Sequence, residues 1–183
     1  MNTTKTLILA FVLISLKAEA QYNFCFSAGI GFTSVNKIVT DTISDSRGGL
    51  GIHLIPRLNY PLGGRSSVSL SLPLSFGLSE VPYKGNGRMK GYFDLPIAVE
   101  LNLGHKANDN TENAVGAFIG TGIAHTNISN VYDFYSYNLY LGWRFFDNRG
   151  VDSRSGEMRF NFGNGLGKNS DLAKWGISII YIL

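Results

Sequence analysis

The chain has 183 residues, of which 44% are hydrophobic, 13% aromatic and only 16% charged, against about 25% charged in an average soluble domain. Glycine is frequent, at 22 copies, and the formal net charge is +3. This profile excludes a disordered, acidic or collagen-like chain; the mean hydropathy of +0.05 is too low for a helical membrane bundle, and the length suits one domain.

The first twenty residues read as a secretory signal peptide. Lys5 precedes an apolar run from Leu7 to Leu16, and Ala18-Glu19-Ala20 puts small residues at a cleavage site. The run is shorter than the ~20 residues a spanning helix needs. Cleavage after Ala20 is expected, leaving one domain over residues 21–183. Loss of Lys5, Lys17 and Glu19 brings its net charge to +2. No basic stripe interleaved with aromatics remains, so nucleic acid is not an expected partner. The lone cysteine, Cys25, has no intrachain disulfide partner and reads as a small buried apolar residue. One cysteine and three scattered histidines lack zinc-ligand spacing, and neither a metal nor a cofactor is expected.

Eight segments with period-two alternation follow. Residues 22–35 carry Tyr22, Phe24, Phe26, Ala28, Ile30 and Phe32 on one face, and residues 49–60 carry Leu50, Ile52, Leu54, Leu58 and Tyr60. Residues 67–78 are the clearest: Val68, Leu70, Leu72, Leu74, Phe76 and Leu78 alternate with Ser67, Ser69, Ser71, Pro73, Ser75 and Gly77. A helix would scatter these residues, whereas a strand puts every large apolar group on one side. Residues 90–103 carry Phe93, Leu95, Ile97, Val99, Leu101 and Leu103. Residues 114–125 alternate poorly, and their faces are not assigned. Residues 136–146 carry Leu139, Leu141, Trp143 and Phe145; residues 157–166 carry Met158, Phe160 and Phe162; residues 174–183 carry Trp175, Ile177, Ile179 and Tyr181. Eight such segments suggest a sandwich or a barrel.

Charge placement chooses the face that meets water. Within the eight segments the charged residues are Arg57, Lys90, Asp94, Glu100, Arg144, Glu157, Arg159 and Lys174, and the connections hold the majority. The non-apolar strand face is mostly Ser, Gly, Asn and Ala. A soluble barrel would wet that face with Lys and Glu, whereas small polar residues suit the narrow lumen of an eight-stranded barrel. The expected fold is therefore an all-β, eight-stranded, antiparallel up-and-down transmembrane barrel with its apolar face toward lipid. Aromatic girdles are expected at the two rims: Phe32, Phe76, Phe93 and Trp175 at one, and Tyr22, Phe24, Tyr60, Phe145 and Tyr181 at the other. The same orientation places Arg57, Asp94, Glu100, Arg144 and Arg159 in the lumen beside His53, Asn59, Asn102 and Asn161, three cations facing two anions in an ionic plug. Outer loops are expected at 36–48, 79–89, 126–135 and 167–173, and any surface ligand would be held there, by Tyr132, Phe134 and Tyr135 among others. Pro56, Pro73 and Pro96 run against this reading, because proline cannot donate to a ladder and a closed barrel has no edge to place it on.

Tyr92-Phe93-Asp94-Leu95-Pro96-Ile97 resembles the aromatic–acidic–Pro strand of the small outer-membrane β-barrel proteins of the Bacteroidota porin-family or PorT-like group. The resemblance covers essentially the whole mature chain. Lys174-x-Gly176-x-x-Ile179-x-Tyr181 is similar to the terminal strand signal read by the outer-membrane assembly machinery, although Ile182 and Leu183 extend it and the chain ends in Leu rather than Phe. The resemblance implies an outer-membrane location in a Gram-negative cell, outer-membrane lipid and the assembly machinery as partners, and a structural or surface-interaction role without catalysis. Two other classes stay open. His125-Thr126-Asn127-Ile128-Ser129 is similar to the histidine–serine region of a barrel lipid-A deacylase, but Asn127 stands where that family has its serine. No acid is evidently placed to orient His125. A soluble lipocalin-like carrier would invert the faces and use the apolar one as a cavity. Gly163-Asn164-Gly165-Leu166-Gly167-Lys168 fails the spacing of a phosphate loop.

Overall fold

The computed structural model describes residues 23–39, 42–63, 65–83, 86–104, 115–129, 131–147 and 154–182. The expected signal peptide and Tyr22 lie outside the described residues. The strands are β1 (Asn23–Val39), β2 (Thr42–Gly63), β3 (Ser66–Ser71), β4 (Leu74–Tyr83), β5 (Asn86–Gly104), β6 (Val115–Ile128), β7 (Tyr132–Asp147), β8 (Arg154–Gly165) and β9 (Leu172–Ile182). Pairing is antiparallel throughout: β3 and β4 both lie between β2 and β5, the other strands pair with their chain neighbours, and β9 returns to β1 with Ala28 opposite Tyr181 and Gly31 opposite Ser178. The sheet is therefore a closed ring. The end holding Asn23 and Ile182 is called terminal here, and the opposite end distal.

The nine strands make eight staves, because β3 and β4 are one stave interrupted at Leu72–Pro73. The register is unbroken across the gap: Arg57 faces Ser71 and Leu54 faces Leu74 on one side, and Ala98 faces Ser71 and Asp94 faces Ser75 on the other. That register puts Pro73 opposite Pro96. Leu72 N donates to Pro56 O at 3.0 Å, so Leu72 turns its polar groups toward β2 and Pro73 turns its own toward β5. The two missing N–H groups of Pro73 and Pro96 thus fall on one rung, and neither strands a donor on a neighbouring strand. The carbonyl of Leu72, left without a donor by Pro56, accepts from Leu74 N at 2.8 Å across the proline. The three prolines compensate one another at one patch of the wall, which is how the closed barrel accommodates them.

The expected faces hold. Leu50, Leu70, Ile97, Val99, Ile119, Trp143 and Ile179 point outward and are exposed, while Ser67, Ser69, Ser71, Asn102, Asn138 and Ser178 point inward and are buried. In β6, where alternation was weak, Val115, Ile119 and Ile123 are outside, while Phe118, Ala124 and Ile128 are inside. The outward apolar run of β5, Phe93 to Leu103, is 11 residues long, the length of a spanning strand of ~9–11 residues.

The strands continue past that run. Residues 36–39, 42–48, 79–83, 86–89, 126–128 and 132–135, expected as outer loops, are strand, paired as hairpins such as Ser79 opposite Lys90 and Thr126 opposite Phe134. Above the apolar belt both faces of a ribbon can be polar, so loop-like composition there does not end the ladder. Of the four loop ranges, only 167–173 is largely non-strand, with a single helical turn at Gly167–Asn169.

Candidate functional site: the filled lumen

Among the described residues, the buried charged side chains are Arg57, Asp94, Glu100, Arg144, Glu157, Arg159 and Lys174, all inward-facing. Four of the five expected network residues meet around a fifth that sequence reasoning missed, Glu157. Its carboxylate accepts from Arg144 Nε at 2.8 Å, Arg57 Nη2 at 3.0 Å and Arg159 Nε at 3.0 Å. Glu100 takes Arg159 Nη1 at 2.7 Å, Arg57 Nε at 3.3 Å and the hydroxyl of Ser71 at 2.6 Å. Two carboxylates thus bridge three guanidiniums: Arg57 and Arg159 contact both, and Arg144 contacts Glu157. Arg144 Nη2 also donates to Asn102 Oδ1 at 2.6 Å, and Asn102 Nδ2 donates to Ser69 Oγ. The guanidinium carbon of Arg159 sits 4.5 Å from the Phe118 ring centroid and that of Arg144 at 5.1 Å, so an aromatic face completes the coordination of both cations.

Room for this cluster comes partly from Gly120. A Cβ there would lie 2.6 Å from Glu100 Cγ. The fit is an interior one, with side chains from six strands meeting on the barrel axis.

The fifth expected residue, Asp94, does not join the arginines. It takes Lys174 Nζ at 2.8 and 2.9 Å on its two oxygens and the Thr126 hydroxyl at 2.6 Å. Lys174 was the second missed residue. Both omissions were legible by parity: Glu157 and Arg159 flank the outward Met158, and Lys174 precedes the outward Trp175. Four cations then face three anions rather than three facing two. His53 is also inward, with Nδ1 3.1 Å from Ser75 Oγ. Cys25 is buried and free, as expected.

The distal part of the lumen is lined differently. Val35, Tyr92, Ile128, Phe134 and Leu172 form a buried apolar cluster inside the ring, with Val131 and Tyr132 packed against it. Phe134, expected on an exposed loop, is only 2% exposed and belongs to this cap. Over the cap, Tyr132 Oη donates to Asp45 Oδ2 at 2.7 Å, and Asp45 also pairs with Arg47 at 2.7 Å. Burial and the hydrogen bond to Asp45 push the Tyr132 phenol up to about 12.

The girdle residues among the described ones lie toward the two ends. Phe76 lies opposite Phe93, and the Phe32 and Trp175 rings are 5.4 Å apart on the distal side. Phe145 and Tyr181 flank Gly156 near the terminal end, and Tyr60 lies opposite Val68. On the outside of β6 and β7, His125 Nε2 is 2.6 Å from Asp133 Oδ1 and its ring stacks 4.8 Å from Tyr135. An acid is therefore placed to orient His125, contrary to the sequence reading. Ser129 is in the following turn, its N–H bonded to Gly91 O at 3.0 Å, and among the described residues no hydroxyl hydrogen-bonds to His125.

A scan against protein-family models matches none, and no curated protein matches the chain. Several solved structures are similar, two of them as follows. Ail, the attachment invasion locus protein of Yersinia pestis, in complex with the heparin analogue sucrose octasulfate, superposes with a TM-score of 0.53 at 13% identity. The match covers 88% of this chain and 99% of that one. Neisserial surface protein A gives a TM-score of 0.51 at 8% identity, covering 87% of this chain and 96% of that one. At such identities the likeness shows the fold alone, and that fold is the closed, antiparallel, eight-staved barrel of outer-membrane proteins.

Proposed function

We propose that the chain is an integral outer-membrane barrel with a structural or surface-interaction role, exported through a leader cleaved after Ala20 and closed to free diffusion. The observation that carries this reading is its inverted polarity. Large apolar side chains cover the outside of the ring while seven charged residues are buried inside it. In water this arrangement would expose the wrong face; in a bilayer it satisfies the wall, and closure satisfies the backbone. A lipocalin-like carrier needs an apolar lumen, and here the apolar face points out.

In this reading the termini face the periplasm, and β9 is the strand presented to the assembly machinery. The distal hairpins are the outer surface. Phe32, Phe76, Phe93 and Trp175 form the outer girdle; Tyr22, Tyr60, Phe145 and Tyr181 form the inner one. The lumen is blocked twice, by the apolar cap and by the arginine–glutamate lattice, so conduction is not its task. A surface ligand would meet the strand-paired hairpins that continue past the apolar belt. Ail was solved with a sulfated sugar, and an anionic saccharide is one ligand class to screen here.

The test is heat-modifiable gel mobility of the outer-membrane fraction, combined with N-terminal sequencing and planar-bilayer recording. A band that shifts between unboiled and boiled samples, begins at residue 21 and conducts no ions supports the reading. A fully soluble protein without a shift overturns it.

The His125–Asp133 contact favours one second reading, a lipid hydrolase on the outer wall. A carboxylate-oriented imidazole is two-thirds of a triad, but it lacks a bonded nucleophile. Lipid A from cells carrying His125→Ala, compared with wild type, tests it, and identical acylation rejects it.

A further inference from the structure

A groove of about 560 Å³ is sunk into the outward wall where β1, β2, β4 and β5 meet, within the size range of small-ligand sites. Phe32 and Phe76 form its sides, and Leu50, Ile52 and Leu78 line it between them. At the outward position 48, glycine lets the Phe32 ring pack against the wall: a Cβ there would sit 2.5 Å from Phe32 Cζ. The Phe32 ring folds over that gap and is held on its other side by Trp175.

The groove has a direction. Ile52 lies opposite Phe76, Leu50 opposite Leu78 one pair further toward the distal end, and Glu80 opposite Met89 beyond them. Apolar side chains thus give way to a single carboxylate as the groove leaves the belt. Leu50 is 71% exposed at its centre.

We infer that this groove holds one lipid molecule, its acyl chain over Leu50 and Ile52 between the two phenylalanines and an amine of its headgroup against the Glu80 carboxylate. The inference rests on the membrane reading above. Chain-inward, head-outward is the orientation of a lipid in the distal leaflet, and the groove opens sideways into the apolar belt. A peptide in the same place would bring backbone N–H and C=O groups into a wall with no partners for them. The carboxylate attracts an ammonium and repels a headgroup that carries only phosphate, and the low dielectric of the membrane boundary strengthens both effects.

The probes are phosphatidylethanolamine and phosphatidylglycerol vesicles with identical chains. The full mature protein, L50W and E80Q are reconstituted in each, extracted into mild detergent and weighed intact by native mass spectrometry. Wild type should retain one phosphatidylethanolamine per chain, about fivefold over phosphatidylglycerol, a preference worth about 1 kcal/mol. E80Q should lose the preference and keep the retention. L50W, which fills the groove, should lower retention of both lipids about tenfold. Gel mobility on the same samples separates the two readings. If wild type shows the heat shift but all three proteins retain both lipids equally, the groove assignment fails and the barrel stands. A lipid-free dimer would give the groove to a second copy and overturn the assignment. Absence of the heat shift in wild type would overturn the membrane reading itself.

Discussion

Replacing Glu157 with Gln tests the lumen lattice most directly. Glu157 is fully buried and accepts hydrogen bonds from three guanidiniums at 2.8–3.0 Å, of which Arg57 and Arg159 also reach Glu100. After the substitution, one carboxylate faces three buried arginines. Breaking a buried ion pair from one side costs about 3–5 kcal/mol, because the stranded charge keeps its desolvation penalty. Gln retains one carbonyl acceptor, so the lower end, about 3 kcal/mol, is expected. With a urea dependence of about 2 kcal/mol per M, the unfolding midpoint should fall by about 1.5 M. The assay is urea titration of protein refolded into lipid vesicles, read by tryptophan fluorescence and gel mobility together. Adding Arg57→Met should recover part of the loss, because it removes one of the stranded cations and the two sites share a network. A midpoint for Glu157→Gln within about 0.3 M of wild type would refute the claim that the lattice stabilises the barrel. Strict additivity of the double variant would refute the coupling.

Three further outcomes are expected. Ile97 is 57% exposed on the outward run of β5, so Ile97→Lys should cost about 2–4 kcal/mol in vesicles if the wall meets lipid; a change within about 0.5 kcal/mol, normal for a water-facing position, would place that face in solvent. Phe134→Ala should cost about 3–5 kcal/mol by emptying the distal cap. On the proposal that the ionic lattice also blocks the lumen, conductance should not rise; channel opening in this variant would show that the cap alone seals the barrel. Asp45→Asn should bring the Tyr132 phenol down from about 12 toward the ordinary tyrosine range, read by ultraviolet titration against a Tyr132→Phe blank. An unchanged titration would remove Asp45 from the account and leave burial as the main cause.

The outward and inward sets of each strand could be read from one dimension, because side-chain direction in a strand depends only on parity. Leu50, Leu70 and Ile97 were placed outside, and Arg57, Asp94, Glu100, Arg144 and Arg159 inside, by that rule together with the scarcity of charge in the segments. The same rule reaches Glu157 and Lys174 when applied to every charged strand residue. It stalls in β6, where Phe118 inside and Ala117 and Thr121 outside blur the alternation. It also cannot separate an inward Phe134 or Ile128 from an outward one, since an apolar cap inside the lumen has the same composition as the wall. Strand ends were hidden for a related reason: Asp45 and Ser46 are polar because a projecting hairpin meets water on both faces, not because the ladder stops.

The remaining facts belong to closure. Arg57 meets Glu157 across 100 positions of sequence, and Asp94 chooses Lys174 over the arginines, because the ring brings strands from opposite walls to one axis and its register sets their heights. Pro73 falls on the rung of Pro96 for the same reason: only the pairing of two strands determines which residues share a rung. Composition and alternation determined which face each residue takes; the partner it finds there was decided by the circumference and stagger of the closed sheet.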